Sequence, residues 1–205
     1  RMRRPLDDMS GVKMFRAALW TIVALIAGAA VALALIYAQG GPGRSGEPYG
    51  SDFSLIDETG QPFTQAELRA KPTAVFFGFT HCPEVCPTTL YELAGYQKQL
   101  AEKGGDLQVV FVTVDPERDT PEVMKNYVEA VSPDITALSG SPDKIAAMLK
   151  GWGVYSAKIG EGDDYNMDHT ATTFLIDETG ELAGTLAYGE NPDTALAKLE
   201  RLVGV

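Results

Sequence analysis

The chain has 205 residues, 45% of them hydrophobic and 22% charged, with a formal net charge of −11. That length suits one globular domain plus an appendage rather than two large domains. Residues 1–44 hold six basic and two acidic side chains, which leaves −15 on residues 45–205; a phosphate-binding surface needs a basic patch, so no nucleic-acid partner is expected.

At the start of the chain Arg1, Arg3, Arg4, Lys13 and Arg16 outnumber Asp7 and Asp8, and no further charge occurs before Arg44. Residues 17–38 are almost wholly apolar and, at about 1.5 Å per residue, long enough to cross a hydrocarbon core of roughly 30 Å. They predict a transmembrane anchor, with residues 1–16 cytoplasmic by the positive-inside rule and everything after Ala38 exported. A cleaved signal peptide is the competing reading, because Ala32-Leu33-Ala34 offers small residues. Against it, the apolar run exceeds the roughly 7–15 residues usual in such a segment, and Ile36 spoils a later site. Residues 39–49, with Gly40-Gly41-Pro42-Gly43-Arg44-Ser45-Gly46, read as a flexible tether to a domain over residues 50–205.

Within that domain, residues 53–57 and the turn Glu58-Thr59-Gly60-Gln61-Pro62 predict an opening hairpin, and residues 73–79 a buried strand. Residues 88–103 place Leu90, Leu93, Ala94, Gln97 and Leu100 at helical spacing, and residues 107–114 make a second strand, parallel to the first through a crossover. Thr120-Pro121-Glu122, Ser141-Pro142-Asp143 and Asn191-Pro192-Asp193 each set a capping residue before a proline and an acid, which marks a helix start. Residues 172–177 and 182–188 predict a late hairpin, and the last helix ends near Val203. No internal repeat organises the chain. The order is that of an α/β, thioredoxin-like domain with an added N-terminal β-hairpin, preceded by one transmembrane helix.

The first buried strand runs into Phe79-Thr80-His81-Cys82-Pro83-Glu84-Val85-Cys86-Pro87, which holds both cysteines of the chain. A disulfide closing so short a loop stabilises by roughly 2 kcal/mol on the chain-entropy model, against about 4.7 for a loop of ~100 residues. Stability is therefore a poor reason for the pair. Two soft thiolates can instead capture a soft cation such as Cu(I), with an imidazole completing a three-coordinate shell, or cycle between dithiol and disulfide. Cys86-Pro87 repeats the cap-then-proline pattern, which puts Cys86 at a helix N-cap and Cys82 in the preceding loop; free amides and the helix dipole would lower both thiol pKa values.

His169, one of two histidines, stands just ahead of the late hairpin, and no proline occurs between Pro142 and Pro192. An ordinary thioredoxin has a cis-proline in that neighbourhood; here a potential soft-metal ligand takes its place. His81 is left out of the ligand set, because consecutive residues after a strand point in opposite directions. Asp115, Arg118 and Asp119 read as structural, with Arg118 pairing locally and Asp119 or Thr120 capping a helix. Asp168 has poor geometry for orienting its own neighbour His169. Met167, Trp152, Tyr155, Tyr165 and Phe174 read as packing residues.

Three separated motifs, in order, resemble the SCO/SenC family over roughly residues 50–203: Gly78-Phe79-Thr80-His81-Cys82-Pro83-Glu84-Val85-Cys86-Pro87, Thr113-Val114-Asp115-Pro116-Glu117-Arg118-Asp119-Thr120-Pro121, and Asp164-Tyr165-Asn166-Met167-Asp168-His169-Thr170. The resemblance implies a membrane-anchored, thioredoxin-like copper protein needed to build the CuA centre of cytochrome c oxidase, with Cys82, Cys86 and His169 as copper ligands. Glu84 departs from the aspartate that many members carry between the cysteines.

The function so implied is a metallochaperone rather than an enzyme. Its cargo would be Cu(I), with Cu(II) also in scope, and its partners oxidase subunit II, an upstream copper donor and a thioredoxin-like reductant. The alternative is a thiol–disulfide oxidoreductase in which Cys82 and Cys86 keep the CuA cysteines reduced without need of His169. A peroxidase fits poorly, since it wants a lone peroxidatic thiolate. The N-terminal segment lacks the Ser-rich, acid-poor character of a transit peptide. The expected location is thus a bacterial inner membrane with the domain in the periplasm, the alternative being the mitochondrial inner membrane facing the intermembrane space.

Overall fold

A computed structural model describes residues 8–38, 48–162 and 164–205. Residues 1–7 and 39–47, and with them most of the expected tether, lie outside the described residues. The chain divides into two units, residues 1–45 and 46–205. In the first, α1 (Asp8–Ala38) contains the stretch Lys13–Ala32, long and apolar enough to cross a membrane. The helix starts ahead of residue 17, because hydropathy marks the apolar part of a helix and not its hydrogen-bonded ends.

In the second unit, β1 (Ser54–Asp57) and β2 (Pro62–Thr64) form the opening hairpin, followed by α2 (Gln65–Leu68) and β3 (Thr73–Gly78). Next come α3 (Val85–Glu102), β4 (Gln108–Thr113), α4 (Pro121–Glu129), β5 (Ile135–Ser139) and α5 (Pro142–Trp152). The chain closes with β6 (Ser156–Ile159), β7 (Asn166–His169), β8 (Thr173–Ile176), β9 (Leu182–Leu186) and α6 (Pro192–Val203). Among the described residues the main sheet runs β2-β1-β5-β4-β3-β8-β9, while β6 and β7 pair apart from it.

The centre of the sheet is parallel, with Val75 opposite Val110 and Phe76 opposite Phe111, and β8 joins β3 antiparallel. Every residue of β3 is buried, which means both faces are covered, as a parallel strand requires. Phe76, Phe77 and Phe111 have no exposed surface, and each contributes about 1.5–3 kcal/mol by leaving water. The result is a thioredoxin-like α/β domain with the added N-terminal hairpin.

Thr120, Ser141 and Asn191 are N-caps followed by proline, as the sequence predicts, although Ser141 makes no side-chain capping bond. Trp152, Tyr165 and Phe174 are buried, but Tyr155 is 58% exposed and so is not a packing residue. A short local repeat does exist. Residues 55–60 and 175–180 are both Leu-Ile-Asp-Glu-Thr-Gly, and each Asp accepts from two backbone amides: Asp57 Oδ1 from Thr59 (2.9 Å) and Gln61 (2.8 Å), Asp177 Oδ1 from Thr179 (2.9 Å) and Glu181 (3.0 Å).

Because β3, β4 and β5 are parallel, their C-terminal ends share one edge of the sheet, the edge where ligands gather in such folds. Both cysteines follow the end of β3, and the Thr113–Pro121 motif follows β4. At the opposite edge, the amide of Tyr49 donates to Gly180 O (2.7 Å) and its hydroxyl to Trp152 O (3.1 Å), which straps the start of the domain to the far end.

Candidate metal centre

The cysteine-bearing arm grows directly out of the core. Helix α3 begins at Val85 with Glu84 as N-cap, so Cys86 is not the N-cap but the second helical residue. Pro87 is tolerated one position further in, because amides of the first turn have no intrahelical partner to lose. Glu84 makes no side-chain capping bond; the amide of Cys86 donates instead to Cys82 Sγ at 3.4 Å. Cys86 is fully buried and Cys82 half-buried. At the end of β3, a Cβ on Gly78 would lie 2.7 Å from Cys86 Sγ and 2.9 Å from Phe111 Cε2. Only glycine leaves the sulfur its seat.

The histidine-bearing arm is the β6–β7 ribbon, in which Ser156 faces His169 across the pair. Phe79 and Phe76 meet the imidazole edge to face, with centroids 5.7 and 6.3 Å away. His169 Nδ1 lies 3.0 Å from Thr170 O. A carbonyl can only accept, so Nδ1 carries the proton and Nε2 keeps a free lone pair. Nε2 sits 3.6 Å from Cys86 Sγ, and the donor atoms of Cys82, Cys86 and His169 all lie within 4.8 Å of one another.

The two thiols are electrostatically unlike, which corrects the expectation that both pKa values fall. Cys82 is held far below the usual thiol range, at about 3, first by a hydrogen bond from the Cys86 thiol, with further bonds from the amides of Cys86 and Glu84. Cys86 is pushed strongly upward, first by donating that same hydrogen bond to Cys82 and then by burial. The pair therefore loses one proton easily and the second with difficulty.

Residues around the donors hold them in place. Asp119 is buried and accepts from Thr80 Oγ1 (2.5 Å), Thr80 N (3.1 Å) and Thr113 Oγ1 (2.6 Å), so it clamps the cysteine loop and leaves helix capping to Thr120. Burial raises the Asp119 pKa despite these bonds. Arg118 pairs locally with Asp115 (2.5 Å), as expected, and Asp115 also accepts from the Tyr165 hydroxyl (2.6 Å). His81 is exposed, with Nδ1 3.1 Å from Thr80 Oγ1, and stands outside the donor group. Asp168 makes no hydrogen bond to His169, whose orienting partner is the Thr170 carbonyl.

The donor set of two sulfurs and one imidazole nitrogen suits a soft cation. It opens on a cleft lined by Phe79, Pro83, Val85, Met167 and Ala171. Sequence reasoning missed the clamp by Asp119 and the grip on Tyr165; the available signal was the run of acids and arginine directly after a buried strand.

A family model described as SCO1/SenC matches residues 41–204. The chain is 38% identical over 155 residues to the mitochondrial SCO1 homolog 1 of Arabidopsis thaliana, covering 75% of this chain and 46% of that protein. It is 37% identical over 138 residues to the SenC protein of Rhodobacter capsulatus, covering 67% and 62% respectively. It thus spans about half to under two thirds of these relatives. The structure of Bradyrhizobium japonicum ScoI with copper bound is similar at a TM-score of 0.69 and 39% identity, covering 75% of this chain and 99% of that one. With a family match over most of its length, the chain belongs to the SCO1/SenC family.

Proposed function

We propose that this chain is a membrane-anchored copper metallochaperone that carries copper on Cys82, Cys86 and His169 and delivers it to the CuA site on subunit II of cytochrome c oxidase. The observation that carries the reading is the meeting of two thiols and a free imidazole Nε2 within 4.8 Å beside an open cleft. Such a site has fewer ligands than the closed four-ligand shell of structural zinc, which leaves an acceptor thiolate room to enter. Cys82 binds as the thiolate it already is, and the metal displaces the proton of Cys86. Copper in the similar ScoI structure supports the identity of the cargo.

In this reading residues 17–38 span a bacterial inner membrane, residues 1–16 stay in the cytoplasm, and residues 39–49 tether the domain of residues 50–205 in the periplasm. An upstream donor loads the site, and a thioredoxin-like partner keeps the pair reduced. The test is a Cu(I) titration of reduced residues 46–205 against a competing chelator. One equivalent bound tightly, weakened in His169→Ala and lost in the Cys82→Ser, Cys86→Ser double variant, is the expected result. Binding indifferent to His169 would overturn the ligand set.

The contrast between a half-exposed low-pKa thiol and a buried high-pKa one favours a second reading. That pattern suits a nucleophile and a resolving thiol. As a thiol–disulfide oxidoreductase, the Cys82 thiolate would attack a target disulfide and Cys86 resolve the mixed disulfide, passing two electrons and the Cys86 proton to the target, whose second proton comes from water. Full reductase activity in His169→Ala would single out this role.

A further inference from the structure

Among the described residues, the ribbon that carries His169 pairs with no strand of the main sheet. Its polar ties to the rest of the domain converge on the turn between β4 and α4. Tyr165, the residue just before β7, donates its hydroxyl to Asp115 Oδ1 (2.6 Å), accepts on its carbonyl from Arg118 Nη1 (2.9 Å), and lies under the Arg118 guanidinium with Cζ 3.6 Å from the ring centroid. Asp115 is buried and its pair with Arg118 nearly so, at 3% and 18% side-chain exposure. The grip is therefore shielded from water and firm. On the other side of the same turn, Asp119 clamps Thr80, two residues ahead of Cys82. One turn thus holds both arms by a carboxylate each.

We propose that Asp115, Arg118 and Tyr165 are positioning residues that fix the register of His169 against the dithiol, and that through it they set how well the site accepts Cu(II) beside Cu(I). The proposal rests on the copper-carrier reading above. His169 lies only four residues beyond the grip on Tyr165, at about 3.3 Å each, so a loosened grip swings the ligand directly. The two oxidation states respond differently to that movement. Cu(I) draws most of its binding from the two soft thiolates and loses only part of it when the imidazole shifts, whereas Cu(II) favours nitrogen and oxygen donors in a defined geometry. Losing the register of the imidazole therefore penalises Cu(II) first.

The test uses the full chain in detergent micelles, with Cu(II) binding followed by its sulfur-to-copper absorption and by nitrogen hyperfine structure in electron paramagnetic resonance. Cu(I) binding is measured in parallel by chelator competition, and folding by thermal unfolding of the metal-free protein. Tyr165→Phe removes only the hydroxyl that Asp115 holds; Arg118→Lys keeps the charge and gives up the bond to the Tyr165 carbonyl. Displaced ligand supports typically cost 10–100-fold in metal affinity, so both variants are expected to lose about tenfold for Cu(II) with a weakened nitrogen signature. Cu(I) affinity is expected to fall by clearly less than Cu(II) affinity, and the unfolding midpoint to stay near that of the parent.

Parent-like Cu(II) affinity and hyperfine structure in both variants would overturn the positioning role while leaving the three-ligand site intact. Equal losses for both oxidation states together with a lowered unfolding midpoint would overturn it as well, showing ordinary destabilisation. A parent protein whose copper spectra match those of His169→Ala would overturn the ligand set itself, and the inference with it.

Discussion

The two arms that bring the donors together are built differently. The cysteine arm continues a fully buried strand into an 18-residue helix, with Cys86 part of the same buried core as Leu90, Leu93 and Phe111. The histidine arm is a two-stranded ribbon whose side chains alternate between exposed and half-buried along β7, held by one tyrosine and a few aromatic edges. A two-stranded ribbon is marginal without support from elsewhere. Metal affinity and folding stability should therefore be coupled in the first arm and separable in the second.

The largest effect is expected where the coupling is tightest. Gly78→Ala drives a methyl group to 2.7 Å from Cys86 Sγ and 2.9 Å from the Phe111 ring, neither of which is the free end of a flexible chain. Overpacking of this kind costs about 1–3 kcal/mol. Urea unfolding of the metal-free domain should show that loss, and copper competition should show weaker binding in the same variant, because the displaced atom is one of the proposed ligands. A variant with parent stability and weak copper binding would break the coupling assigned to this arm.

A smaller effect, with a defined sign, is expected at Asp119. Burial raises its pKa above the ordinary carboxylate value, so its contribution to stability is present at low pH and lost as pH rises through the folded pKa. Asn in its place cannot ionise. Measured against the parent, Asp119→Asn should gain relative stability as pH rises above about 4, on top of a constant offset from the altered bonds to Thr80 and Thr113. Relative stability that falls over that range would mean that the three hydrogen bonds outweigh burial and that the carboxylate is favoured in its charged form.

The same contrast explains what could be read from the sequence. Strands β3 and β4 announce themselves as apolar runs, and the three proline-led helices by their caps, because burial and capping leave local marks. The ribbon Ser156–Ile159 with Asn166–His169 leaves none: its residues are mostly polar, its strands have four residues each, and its partner surface is a turn some forty residues earlier in the chain. Strand β5 (Ile135–Ser139) escaped because a short mixed stretch between two helices has no period of its own. Cys86 was misplaced because proline marks the first turn of a helix and not one position within it. That Cys82, Cys86 and His169 would meet was legible from chemistry and from the family resemblance. What tilts His169 toward the sulfurs was not, since Asp115 and Tyr165 are fifty residues apart and meet only in the fold.

The smallest effect separates the anchors of the histidine arm from one another. Lys158 also lies over the Tyr165 ring, with Nζ 3.6 Å from its centroid, and pairs with Glu117 at 3.5 Å. On distance alone it would rank with Arg118 as a support for His169. Exposure ranks it lower, because the side chains of Lys158 and Glu117 are 46% and 64% exposed. Exposed ion pairs contribute about 0–1 kcal/mol and exposed cation–π contacts about 0.5–1, since water competes for both. The Asp115 carboxylate and the Arg118 guanidinium are shielded and keep Tyr165 in place without the lysine. Lys158→Ala should therefore change urea stability by less than about 1 kcal/mol, with the difference shrinking in high salt, and should leave copper spectra as they are. A lost nitrogen signature in this variant would shift the grip on His169 from the buried face of Tyr165 to its exposed one.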